Sequence, residues 1–194
     1  MFLSIFDIFK IGIGPSSSHT MGPMLAAARF LELMRKSAFS ANGVRCSLHG
    51  ALAFTGKGHA TDRAVILGLA GFRPDTYDHQ SAEAVLADIQ ASQMIHPDGL
   101  HPLAFDPARD LIFDYKQSLP GHANGMILNA LDRSGDVILQ ETYYSIGGGF
   151  VLTDAELAAD PGPKLPSNVP FPFRTAAEML EMATTSGKSI SQMK

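Results

Sequence analysis

Gly14-Pro15-Ser16-Ser17-Ser18-His19-Thr20-Met21-Gly22-Pro23-Met24 is the stretch from which the rest of the chain is read: a loop of glycine, proline and serine that runs straight into a helical pattern. Beyond it Met24, Ala27, Ala28, Leu31 and Met34 recur at spacings of three and four, the signature of one helix face. The serines and Thr20 are candidate N-caps, since a short side-chain oxygen can accept from the orphan N–H groups of a first turn. Pro23 suits that turn because its missing N–H is not needed there. Working outward, residues 3–9 fit a short helix or a buried strand equally well.

After Gly43 the hydrophobic period changes. Val44-Arg45-Cys46-Ser47-Leu48 alternates, which predicts a strand over Val44–Phe54 with Cys46 on its apolar face and His49 on its polar face. Thr55-Gly56-Lys57-Gly58-His59 reads as a loop. Thr61 or Asp62 is expected to cap a helix that runs to Leu69 and stops at Gly71 and Pro74. Ala82, Val85, Leu86 and Ile89 mark a third helix. Short strands are expected near Leu100–Phe105 and Leu111–Tyr115, then a polar turn over Pro120–Gly125. Met126–Leu131 and Val137–Tyr144 form a hairpin around Asp132-Arg133-Ser134-Gly135. Gly147-Gly148-Gly149 interrupts, and Phe150–Leu152 resumes an extended chain. The fold class expected is α+β, a mostly antiparallel sheet with helices packed on one face. Residues 1–159 form the folded domain. Residues 160–194 hold a proline-rich linker and a last helix, which Thr175 caps and Gly187 follows.

Composition narrows the function classes. The chain has 194 residues, 45% hydrophobic and 18% charged, which is ample for a core. The formal net charge of −4 and the lack of a basic stripe argue against nucleic acid. No run approaches the roughly 18 apolar residues of a membrane span, and no cleavage site follows the apolar start, so a folded cytoplasmic protein without a signal peptide is expected. The one cysteine, Cys46, excludes an internal disulfide or a multi-thiolate metal site, and its position predicts a buried small hydrophobe.

The chemistry gathers in two loops. A Ser-rich loop at a helix start offers backbone N–H groups and hydroxyls to an anion, helped by the helix dipole, so a carboxylate or phosphate is its natural guest. One serine would suffice for a plain cap. His19 in this loop and His59 in the second Gly-rich loop, beside Lys57, are candidates for general acid or base. His79, His96 and His101 read as surface residues, and His122 is intermediate. Gly50 to Lys57 resembles a phosphate-binding loop but is one residue too long, with Gly58 in place of the hydroxyl residue. The Gly147–Gly149 run permits either a close backbone approach to a ligand or a simple bulge.

Together these segments resemble a known family. Residues 6–24, Thr55-Gly56-Lys57-Gly58-His59-Ala60-Thr61-Asp62, Tyr143-Tyr144-Ser145-Ile146-Gly147-Gly148-Gly149-Phe150 and Pro170-Phe171-Pro172-Phe173 are similar to the N-terminal (beta) domain of bacterial iron–sulfur L-serine dehydratases. The resemblance implies conversion of L-serine to pyruvate and ammonia by elimination of water. It implies a [4Fe–4S] cluster rather than pyridoxal phosphate, with an iron acting on the leaving hydroxyl while a base removes the α-proton. It implies an N-terminal domain like the allosteric substrate-binding domain of phosphoglycerate dehydrogenases, a mostly helical C-terminal domain carrying the cluster cysteines, and a homodimer.

On that resemblance Ser16, Ser17, Ser18 and Thr20 would hold the substrate carboxylate. His19 or His59 would move the proton, and Lys57, Asn124 and Gly148 would be further contacts. Two departures stand out. Such a cluster needs at least three thiolates, so its domain is expected to be missing and this chain alone inactive. Ala123 stands where proline is expected. Two other readings compete with the lyase half-site: a sensor that binds serine or a similar anion without turnover, and a scaffold whose Ser-rich loop is only a cap.

Overall fold

The switch of hydrophobic period at Gly43 marks the change from helix to strand on which the fold turns. In the computed structural model, residues 9–159, 170–173 and 175–193 are described. The segment before Phe9 and the linker over 160–169 lie outside them. The described residues divide into two units, Lys10–Ala158 and a smaller one that contains residues 175–193.

In the larger unit a π-turn, Ser17–Met21, leads into α1, Gly22–Lys36. The predicted face holds: Met24, Ala27, Ala28, Leu31 and Met34 are all buried. Strand β1, Gly43–Gly50, follows and lies at the middle of a seven-stranded sheet. Along one edge it pairs antiparallel with β5, Asn124–Leu131, over its whole length. Along the other it pairs parallel with β3, Leu103–Ala104, and β4, Leu111–Asp114. Two-residue β2, Met94–Ile95, flanks β3. On the far side β6, Val137–Gly147, and β7, Phe150–Thr153, continue the antiparallel ladder.

The sheet is therefore mixed, not mostly antiparallel. Its parallel half follows from the helices between β1 and β3. A parallel return needs a long crossover, and the chain supplies one in α2, Ala51–Thr55, α3, Thr61–Leu69, and α4, His79–Ser92. The four-residue helix α5, Pro107–Asp110, then joins β3 to β4, and α6, Asp154–Ala159, follows β7.

Three local expectations are corrected. The strand expected over Val44–Phe54 ends at Gly50, whose φ of +55° turns the chain into α2. Ala51-Leu52-Ala53-Phe54 is apolar throughout, so period alone could not separate strand from helix. Neither Thr61 nor Asp62 caps α3: the N-cap is Ala60, at φ +54°, without a side-chain bond. Asn124 and Gly125, expected in a turn, belong to β5. His49 does lie on the polar face of β1, but it is buried, with hydrogen bonds to Ser47 Oγ at 2.9 Å and to the Gln117 carbonyl at 3.2 Å.

The core joins α1 to the sheet through Phe30, Leu31, Val44, Cys46, Leu48, Met126 and Leu128. Cys46 is fully buried, as expected of a small hydrophobe, and burial pushes its thiol pKa up. Helix α3 lies across α1 at a glycine: a Cβ on Gly68 would sit 2.3 Å from the Met24 carbonyl oxygen and 2.8 Å from Ala27 Cβ. Among the described residues no helix is long and apolar enough to cross a membrane. In the smaller unit α7, Ala176–Ser186, opens on the expected Thr175 cap, here a reciprocal capping box with Glu178, and closes on left-handed Gly187. Helix α8, Ile190–Met193, follows.

Gly68→Ala should lower unfolding stability by about 1–3 kcal/mol, the usual cost of overpacking a tight contact. Urea denaturation followed by circular dichroism checks it.

Candidate functional site

The Ser-rich loop is shaped by Ser16. Its backbone is extended, at φ −147°, and its carbonyl accepts from the N–H of Thr20 at 3.0 Å and of Met21 at 3.3 Å. Its hydroxyl oxygen accepts from the His19 N–H at 3.1 Å. One residue thus takes up three amides of the turn. Among the described residues the N–H groups of Ser17 and Ser18 have no protein acceptor, so two donors remain at the start of the helix, where an anion is favoured. The turn is a π-turn, a geometry often kept at functional positions.

His19 and His59 come together although 40 positions separate them. Their ring centroids lie 4.9 Å apart with the planes inclined at 37°. Each is held from its backbone side by the other loop: Thr20 Oγ1 donates to the His59 carbonyl at 2.9 Å, and Thr61 Oγ1 donates to the His19 carbonyl at 2.5 Å. Both threonines are buried. The Ser18 hydroxyl lies 2.9 Å from His19 Nδ1, and Ser16 Oγ lies 3.3 Å from Ser18 Oγ. His59 Nδ1 is 2.9 Å from the Thr55 carbonyl. A carbonyl can only accept, so Nδ1 carries the proton and the lone pair of that ring is on Nε2.

Burial lowers the pKa of His19 from its ordinary value, and the positive charge that His59 can carry lowers it further. A hydrogen bond with the Ala51 backbone acts in the opposite direction. His19 is therefore held neutral to lower pH than a free imidazole.

The strand ends meet here. Gly50, at the end of β1, pairs with Asn124 at the start of β5, and the Ala51 N–H donates to the Ala123 carbonyl at 2.8 Å. Asn124 is buried. Its side-chain amide donates to the Ser145 carbonyl at 3.0 Å, and its backbone N–H donates to His122 Nδ1 at 3.1 Å. Ser145, near the end of β6, presses its hydroxyl on the start of α1: a Cβ on Gly22 would lie 1.9 Å from Ser145 Oγ. That hydroxyl is buried and lacks a hydrogen-bond partner among the described residues.

Of the expected site residues, Ser16, Ser18, His19, Thr20 and His59 form one constellation, and Ser17 contributes its amide. Asn124 lies at the same end of the sheet, its amide engaged with β6. Lys57 departs: its ammonium sits 5.5 Å from the centroid of the Phe113 ring, and it lines a separate cavity. Gly148 is exposed in the β6–β7 turn at φ +60°, against the ring of Phe150. Its neighbour Gly149 approaches the π-turn, where an added Cβ would lie 3.3 Å from Met21 Cε. Thr61 and Ser145 were missed. Thr61 read as a cap, and nothing in the local pattern marks a hydroxyl that reaches across to another loop. Among the described residues no three His, Cys, Asp or Glu side chains converge into a metal site.

The sequence pattern of the family described as serine dehydratase beta chain matches residues 4–156. An L-serine dehydratase of Streptomyces coelicolor is 44% identical over 195 residues, covering 100% of this chain and 43% of the relative. One of Helicobacter pylori is 43% identical over 98% of this chain and 42% of the relative. L-serine dehydratase 1 of Escherichia coli is 39% identical over 97% of this chain and 41% of its own length. The chain thus spans less than half the length of these relatives.

Titrating the imidazole signals by NMR should place the His19 midpoint below the ordinary value of about 6.5, and His59→Asn should raise it. Folded His19 binds its proton less tightly than the unfolded chain does, so its contribution to stability is present above pH of about 6.5 and lost as pH falls below it. An unshifted His19 that ignores the His59 substitution would contradict the geometry.

Proposed function

Since this chain belongs to the serine dehydratase beta-chain family, we propose that it is the part of an L-serine dehydratase that holds the substrate carboxylate and takes its α-proton. The observation that carries this reading is the His19–His59 pair beside a serine turn with two amides that have no protein acceptor among the described residues. The substrate carboxylate lies on the Ser17 and Ser18 N–H groups and the Ser16 and Ser18 hydroxyls. His59 is the proton acceptor, because its Nδ1–H is fixed on the Thr55 carbonyl and its Nε2 lone pair has no hydrogen-bond partner among the described residues. His19 stays neutral beside it, so it does not repel the proton that His59 takes up. Breaking the α-C–H and β-C–O bonds leaves an aminoacrylate, which tautomerises and hydrolyses to pyruvate and ammonia.

The family implies a [4Fe–4S] cluster. The residues here do not fit one: Cys46 is the only thiol and is fully buried, and among the described residues no three metal-ligating side chains converge. We assign the cluster to the part of the relatives' length that this chain does not span, with residues 160–194 as the passage toward it, and derive no step through it here. Assistance to the departing hydroxyl lies outside these residues. The same reading covers a cytoplasmic homodimer without pyridoxal phosphate, and kinship of the fold with the allosteric substrate-binding domain of phosphoglycerate dehydrogenases.

Pyruvate formation from L-serine, assayed anaerobically with iron and sulfide, tests the proposal. The chain should be inactive alone and active when mixed with the separately made remaining part of a relative. In the mixture His59→Ala should reduce turnover by about 10²–10⁴-fold, the usual worth of a positioned general base. A His59→Ala mixture as active as the parent would remove His59 from the reaction, and full activity of the chain alone would remove the division of labour.

A further inference from the structure

Lys57 leaves the serine and imidazole cluster for a cavity of about 630 Å³ that neither imidazole lines. The volume falls in the range of about 300–1,000 Å³ usual for small-molecule sites. Its apolar lining includes Ile66 of α3, Leu86 of α4 and Phe113 of β4. Its lining carries both signs of charge: Lys57, Asp62, Arg63 and Glu83. Arg63 and Glu83 are paired with each other. Lys57 has no carboxylate partner among the described residues, and its ammonium faces the Phe113 ring.

We propose that this cavity binds an α-amino acid with an apolar side chain, taken as the zwitterion, and that its occupation steadies the turn that carries His59. The chemistry selects the class. A carboxylate satisfies Lys57, an ammonium is drawn to Asp62, and the side chain covers Ile66, Leu86 and Phe113. A phosphate or dicarboxylate would meet Asp62 as a like charge. A purely apolar ligand would leave Lys57 without a counter-charge.

The coupling to His59 runs through backbone hydrogen bonds. The His59 N–H donates to the Gly56 carbonyl at 3.2 Å, the Ala60 N–H to the Lys57 carbonyl at 3.3 Å, and the Thr61 N–H to the Gly56 carbonyl at 2.9 Å. Gly56 is wedged against α2, where an added Cβ would lie 2.2 Å from the Leu52 carbonyl oxygen. Holding Lys57 therefore restrains the same short turn. This inference does not rest on the reaction proposed above, and it is read by binding, not by turnover.

The chain would be titrated calorimetrically with L-phenylalanine and with L-valine, with hydrogen exchange measured at the Gly56–Ala60 amides. The expected result is saturable binding of at least one of them, with slower exchange in that turn. Affinity should fall at least tenfold both in Lys57→Met and in Ala87→Phe, which fills the cavity from an exposed position on α4. 3-Phenylpropionate and phenethylamine, each lacking one of the two charges, should bind at least tenfold more weakly than L-phenylalanine. Absence of saturable binding by either amino acid, equal affinity in both variants, unchanged exchange in the turn, or loss of binding in His19→Asn would overturn the proposal. The last result would place the ligand at the imidazoles.

Discussion

Two hydroxyl groups exchanged between two loops fix the geometry on which the rest depends. Thr20 serves the carbonyl of His59 and Thr61 serves the carbonyl of His19. Each bond is worth only about 1 kcal/mol net, but a buried carbonyl left without its donor costs about 1–3 kcal/mol. The exchange is reciprocal, so neither loop can shift without exposing the other to that cost. The two rings are therefore placed by main-chain constraints, and their own polar atoms stay available for Ser18, Thr55 and a ligand.

The sheet supplies the frame for this clasp. The C-terminal end of β1, the N-terminal end of β5 and the C-terminal end of β6 lie side by side, so three chain reversals deliver Ala51, Asn124 and Ser145 to one edge of the fold. The helix that begins at Gly22 is seated on the same edge by its close approach to Ser145. Rigid strands and a buried helix start carry the serine turn, and pre-positioned donors of this kind need little reorganisation when an anion arrives.

Much of this was legible in the residues. The spacing of Met24, Ala27, Leu31 and Met34 gave the buried face of α1, the alternation at Val44–Leu48 gave β1, and Asp132–Gly135 marked the hairpin turn. The parallel half of the sheet was not legible, because β3 spans only two residues and β4 four, too few to show a period. The helix at Ala51–Thr55 was hidden by a run that is apolar on every side. At the site, two Gly-rich loops pointed to His19 and His59, but nothing local could say that they face each other. That depends on Thr61, whose partner lies 42 positions away. Lys57 shares a short turn with His59, but the turn sends the two side chains in different directions, Lys57 to the Phe113 ring and His59 to the Thr55 carbonyl.

The contact between Gly22 and Ser145 has a consequence for how such sequences can change. The hydroxyl of Ser145 occupies the space where any side chain at position 22 would begin, and it does so without a hydrogen-bond partner among the described residues. The two positions are therefore one choice made at two places in the chain. A relative that loses glycine at the helix start must already have cleared the strand opposite, so substitutions there have a permitted order. Aligned sequences should carry that order as a paired record, with a larger residue at the first position found only where the second has shrunk.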